Sequence, residues 1–191
     1  MLRPRCLLLA ALPFAAACST RPSATARIPT SWRFANPAPP VVAQHVMVVS
    51  EHPLSSDVGA EVLRRGGNAI DAAVAVGFAL AVVNPRAGNI GGGGFLVYRQ
   101  ADGQVSTLDY RETAPAAATR DMFADSAAAA ERWSVIGAKG AGIPGQVAGM
   151  WEMHRRFGRL PWRDVVMPAV LLARAHAVDS VRATVMRNIE A

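Results

Sequence analysis

The sequence predicts an α+β fold, and three observations carry that reading. Apolar residues make up 51 % of the chain but aromatics only 6 %, a bias that suits closely packed, alanine-rich helices. The patterns run strand, two helices, two antiparallel strands and then further helices. No βαβ unit repeats, so a doubly wound parallel sheet is disfavoured. Between the two later strands lies Asp102-Gly103, a strong hairpin signal. At 191 residues the chain is long enough for one domain with a sizeable core, or for part of a larger one.

The chain opens as a targeting segment, a signal peptide over 1–17. Arg3 and Arg5 form a positive n-region, and Leu7 to Ala17 is an apolar run too short to span a bilayer. Small residues, Ala15 to Ala17, precede Cys18. An ordinary signal peptidase cutting after Ala17 fits, and so does a lipoprotein peptidase cutting the same bond and leaving Cys18 for lipidation. Either route exports the mature chain to the periplasm, without or with a lipid anchor in the membrane. Residues 18–40 are rich in Pro, Ser, Thr and Arg and read as a tether, and the folded part should begin near Val41.

Val46 to Val49 reads as a buried strand. Ser55 or Ser56 should then cap a helix running to about Arg65, stopped by Gly66-Gly67. Asn68 caps the next helix, with Asp71 placed for a capping box. That helix, Ala69 to about Val83, is apolar nearly all round and belongs in a core. Pro85 and Gly88 end it. Phe95 to Arg99 and Val105 to Tyr110 follow as the hairpin strands. Ala127 to Ala130 suits a short helical turn capped by Asp125 or Ser126, within a stretch that is otherwise loop. Val147, Met150, Trp151, His154 and Phe157 keep helical spacing, closed by Gly158. Trp162 to about Ala175 is another helix, which Pro168 should break or kink.

Charge and chemistry exclude several classes. The net charge is +6, but the basic residues are scattered and almost all arginine, with Lys139 the only lysine. Nucleic-acid binding normally clusters such charge on one face. Cys6 leaves with the signal, so Cys18 stands alone and can form neither an intrachain disulfide nor a thiol metal site. His45, His52, His154 and His176 lack metal-ligand spacing, and His154 reads as a satisfied core histidine. No nucleophile elbow is present. The sequence calls for no metal and no cofactor.

The glycine tract Gly91, Gly92, Gly93, Gly94 leads into a strand and lacks the Gly-Lys-Ser/Thr of a phosphate loop. It is better read as a tight turn where backbone passes backbone. Arg111 ends the second hairpin strand and precedes Glu112 and Pro115. Held on a rigid element, its guanidinium can present a fork of donors to a carboxylate. On local sequence alone, a surface ion pair with Glu112 or Asp109 is the favoured reading.

Five words in order change that balance: GGNAIDAAVAVGFALAVVNP at 66–85, AGNIGGGGF at 87–95, DYRETAPAAATRDMF at 109–123, GIPGQVAGMW at 142–151 and FGRLPWRDVVMPAVLLAR at 157–174. Through them the chain resembles the front of the large subunit of bacterial γ-glutamyltranspeptidases. The resemblance implies the N-terminal-nucleophile hydrolase fold, a four-layer αββα sandwich, here incomplete. It implies a precursor that cuts itself into a large and a small subunit. The small subunit's new N-terminal threonine attacks the γ-glutamyl carbonyl of glutathione or other γ-glutamyl compounds. Its backbone N–H groups hold the oxyanion, and the acyl group passes to water, an amino acid or a peptide. The family's arginine in the R-E-x-A-P word, which aligns with Arg111, grips the substrate's α-carboxylate. Gly91 to Gly94 carry over as a structural turn near the site. Related members act as β-lactam acylases, against which the retained arginine argues.

One departure is serious. The family's processing threonine, commonly in a Thr-Thr-His word, has no counterpart among Thr20, Thr25, Thr30, Thr107, Thr113, Thr119 and Thr184. Residues 41–191 are therefore expected to be a truncated large-subunit portion, with no catalytic residue of its own and inactive alone. Its first partner would be the small subunit from the same precursor. The alternative is a short non-catalytic binding module or a decayed pseudoenzyme.

Overall fold

The computed structural model describes residues 40–189. The expected signal peptide, Cys18 and all but the last residue of the tether lie outside them. The chain divides into two units, Met1–Val42 and Ala43–Ala191, and every described element belongs to the second. These are α1 (Pro53–Arg64), α2 (Ala69–Val83), β1 (Phe95–Arg99), β2 (Val105–Asp109), α3 (Ser126–Ala130), α4 (Gln146–Phe157), α5 (Trp162–Arg174) and α6 (Ser180–Ile189), with one 3-10 turn at Ala138–Gly140. None of the described helices is long and apolar enough to cross a membrane.

The α+β expectation holds as two layers. Helix α2 is the hub and touches α1, α4 and α5. Val62, Ile70, Val74, Ala75, Met150, Met153 and Val165 form the core, and Leu96, Tyr98, Leu108 and Tyr110 of the hairpin side pack onto it. β1 and β2 pair antiparallel, with Phe95 opposite Asp109 and Arg99 opposite Val105. Strand alternation sends Phe95, Val97 and Val105 to the other face, where they are exposed. At the hairpin, Gly103 takes a left-handed φ of 89°, which glycine adopts without a Cβ penalty.

Capping decides the helix boundaries. The expected cap at Ser55 or Ser56 is corrected to His52, whose Nδ1 accepts from the Leu54 N–H at 3.2 Å. Pro53 explains the shift, since its fixed φ and missing N–H suit the first helical position. Ser55 is instead fully buried, and its hydroxyl donates to the His52 carbonyl at 2.7 Å. Helix α1 ends in a Schellman motif, with Gly66 N–H on the Leu63 carbonyl and Gly67 N–H on that of Val62. The capping box of α2 forms as expected: Asn68 Oδ1 accepts from Ile70 and Asp71, and Asp71 Oδ2 accepts from the Asn68 N–H.

Three further expectations are corrected. Val46 to Val49 is no strand, because β1 and β2 pair only with each other among the described residues. Nor is it buried, since Val46, Met47 and Val49 are exposed and only Val48 turns inward, toward Gly59 of α1. Pro168 does not break α5, which runs unbroken from Trp162 to Arg174 with Val165 and Ala169 buried. Helix α4 forms as its spacing predicts and ends at Gly158, with Gly149, Met150 and Met153 buried and Val147 and Trp151 exposed.

Candidate functional site

The segment Tyr110–Arg111–Glu112 leaves β2 and threads between two glycine-rich stretches. On one side lies the expected tract. Gly94 and Tyr110 exchange backbone hydrogen bonds of 3.0 and 3.4 Å. A Cβ on Gly93 would fall 2.7 Å from the Arg111 Cα, and one on Gly94 2.9 Å from the Tyr110 ring. On the other side, Thr113 and Ile143 form a two-bond antiparallel bridge. There a Cβ on Gly145 would fall 2.9 Å from the Tyr110 carbonyl carbon, and one on Gly149 would run into the Tyr110 ring. The Gly92 carbonyl closes the arrangement by accepting from the Gly145 and Gln146 N–H groups at 2.9 and 2.8 Å, at the start of α4.

The reading of the tract as backbone passing backbone therefore fits Gly93, where a Cβ would meet the main chain of Tyr110 and Arg111; at Gly92 it would meet the side chains of Asn89 and Glu112, and at Gly94 the Tyr110 ring. Gly91 differs: it borders open space, and a Cβ there would meet nothing within 4 Å. None of the four takes a positive φ, so at Gly93 close approach of main chain, not turn conformation, is what excludes a side chain. The second stretch, Gly142 to Gly149, is visible in the sequence only as a word of the resemblance. Its packing against Tyr110 has no local signal.

This frame fixes the backbone of Arg111 and leaves its side chain 58 % exposed. The Arg111 N–H donates to Asp109 Oδ1 at 2.9 Å. Of the two ion-pair partners open in the sequence, the guanidinium takes Glu112, with Nε 3.2 Å from Oε2. Its Cζ lies 5.9 Å from the Phe95 ring centre, within cation–π range. Glu112 Oε2 is shielded from solvent and makes no hydrogen bond, because the Arg111 Nε contact is close but poorly aimed. Beside them, burial pushes the Tyr110 phenol above its ordinary pKa.

His154 lies apart from this site. Its Nε2 is 2.9 Å from the Leu160 carbonyl and 3.5 Å from Asp71 Oδ1, with the side chain 10 % exposed. It is a satisfied histidine of the helical layer. Among the described residues no group of three or more His, Cys, Asp or Glu side chains could hold a metal ion. An exposed arginine on a rigid backbone, next to an acid that spares most of its donors, is suited to holding a carboxylate.

Comparison with known proteins agrees with the words read in the sequence. The family model described as gamma-glutamyltranspeptidase matches residues 55–191. A glutathione hydrolase proenzyme of Pseudomonas aeruginosa is 54 % identical over 114 residues, 59 % of this chain and 20 % of that protein. One of Escherichia coli is 47 % identical over 136 residues, 71 % of this chain and 23 % of its own length. The crystal structure of the Helicobacter pylori gamma-glutamyltranspeptidase superposes with a TM-score of 0.73 at 45 % identity, covering 78 % of this chain and 44 % of that one. The matched part thus spans 20 and 23 % of the length of the first two relatives.

Proposed function

The chain belongs to the gamma-glutamyltranspeptidase family, and on that footing we propose that it is the front of the large subunit of a γ-glutamyltransferase or glutathione hydrolase precursor. The observation that carries the reading is Arg111, set in the R-E-x-A-P word and held by glycine stretches on both sides while its guanidinium stays open. Its role is to grip the α-carboxylate of a γ-glutamyl donor such as glutathione.

The rest of the chemistry comes from the other subunit. A threonine at the start of the small subunit attacks the γ-carbonyl with its hydroxyl, and its own amine takes the proton. The leaving amine departs protonated. Water or an acceptor amine then attacks the acyl-enzyme and frees the threonine. Backbone N–H groups of the small subunit hold the oxyanion. In the complete protein a second sheet covers Phe95, Val97 and Val105, building the αββα sandwich on the hairpin's exposed face. Export through residues 1–17, with Cys18 as the point of any lipid anchor, belongs to the same proposal and is supported by the sequence pattern alone.

Two measurements test it. The purified 191-residue chain should release no p-nitroaniline from γ-glutamyl-p-nitroanilide above a heat-killed control. In the complete precursor, Arg111→Ala should raise KM for the γ-glutamyl donor about ten- to hundredfold, the size of one lost charge-assisted hydrogen-bond pair. An unchanged KM would refute the assigned role of Arg111.

A further inference from the structure

We infer that Glu112 is a positioning residue that holds the Nε edge of Arg111, so that the opposite edge, with both terminal nitrogens, faces an incoming carboxylate. The inference rests on the proposed role of Arg111 as the carboxylate grip. A guanidinium offers a carboxylate either its Nε edge or its terminal edge, and Glu112 occupies the first at 3.2 Å. The Arg111 Cζ lies over the Phe95 ring, 5.9 Å from its centre, and among the described residues no ion pair engages the terminal edge.

Glu112 is itself fixed in place. A Cβ on Gly142 would fall 3.0 Å from the Glu112 Cβ, and one on Gly92 3.2 Å from its Oε1. Backbone bonds on either side, from Arg111 to Asp109 and from Thr113 to Ile143, hold its main chain. Yet its Oε2 is shielded and makes no hydrogen bond. Leaving such an atom unpaired is costly, and Arg111 Nε is the donor within reach. A small rotation of the guanidinium onto a bound carboxylate improves the aim of that contact. The acid thereby reduces the ordering that a long arginine otherwise undergoes on binding.

A different role for Glu112 gives the opposite sign. An acid that merely neutralised Arg111 would weaken carboxylate binding, and its removal would lower KM. In the complete precursor, Glu112→Gln should raise donor KM about fivefold or more, with kcat within about twofold, as for binding lost equally from ground and transition states. In an Arg111→Lys background, which has no Nε, the Glu112→Gln effect should vanish. Glu112→Asp keeps the charge but withdraws it by one methylene, and should give an intermediate KM; it also serves if the glutamine variant fails to fold. A KM that is unchanged or lowered in both Glu112 variants overturns the inference, as does an equal rise in the Arg111→Lys background. If Arg111→Ala alone leaves KM untouched, the proposed function of Arg111 has failed; if Arg111→Ala raises KM while Glu112→Gln does not, only the positioning role has.

Discussion

Two carboxylates in this chain lie close to glycines, and their hydrogen bonding could hardly differ more. Asp71, fully buried, accepts from the N–H groups of Asn68 at 2.9 Å, Arg159 at 3.1 Å and Leu160 at 3.3 Å. Glu112, on the hairpin side, has an oxygen that solvent cannot reach and no hydrogen bond fills. Buried polar groups are normally satisfied, and an unfilled one asks for a reason. The saturated acid belongs to the scaffold: it joins the start of α2 to the α4–α5 connection. The unfilled one borders the exposed guanidinium of Arg111, whose Nε lies 3.2 Å away.

The contrast is broken most severely at Asp71. Asp71→Ala would leave three backbone donors without their acceptor in the interior and take away the charge beside His154. We expect a loss of about 3–5 kcal/mol, the range for breaking one partner of a buried, hydrogen-bonded charge, read as a shift in urea midpoint of the purified chain. Asp71→Asn keeps the shape and one acceptor and should cost about 1–3 kcal/mol. Losses confined to a few tenths would mean that Asp71 is not the joint described.

A smaller effect sharpens the hairpin side of the comparison. Burial raises the Tyr110 phenol pKa above the ordinary value, so the folded chain resists ionising Tyr110 more than the unfolded chain does. The contribution is fully present below the unfolded pKa, about pH 10, and is lost as pH rises through the higher folded value. Stability should therefore fall above about pH 10, and Tyr110→Phe, which cannot ionise, should lessen the fall. An identical alkaline limb in the two proteins would remove Tyr110 as its source.

How much of this is legible in the sequence depends on how local the cause is. The capping box of Asn68 and Asp71 spans one helical turn and reads directly. That the same carboxylate also holds Arg159, 88 residues away, leaves no trace in either neighbourhood. Ser55 has the chemistry of a cap, but Pro53 fixes the helix start earlier and turns the hydroxyl inward. Val46 to Val49 has strand composition, yet a strand needs a partner, and composition does not supply one. At the site, Arg111 stands out through its word. Glu112 stands in the same word and reads only as a surface ion-pair partner, because an unfilled oxygen is a property of packing among Gly92, Gly142 and Arg111.

The smallest expected effect lies in the loop-rich stretch beyond the site. Helix α3 ends in a Schellman motif, with Arg132 N–H on the Ala129 carbonyl and Trp133 N–H on that of Ala128. The geometry is the one that ends α1, but where α1 has Gly66, α3 has Arg132 at a φ of 55°. A side chain in that left-handed region costs about 1 kcal/mol relative to glycine. Arg132→Gly should therefore stabilise the chain by up to about 1 kcal/mol, less whatever the added freedom of the unfolded chain takes back. Gly66→Arg, placing the same residue at the matching position of α1, should destabilise by a similar amount. A rise for the first and a fall for the second, in paired melts, would show that the end of α3 tolerates strain which the end of α1 avoids. Equal and negligible shifts would show that the two caps differ in sequence without differing in energy.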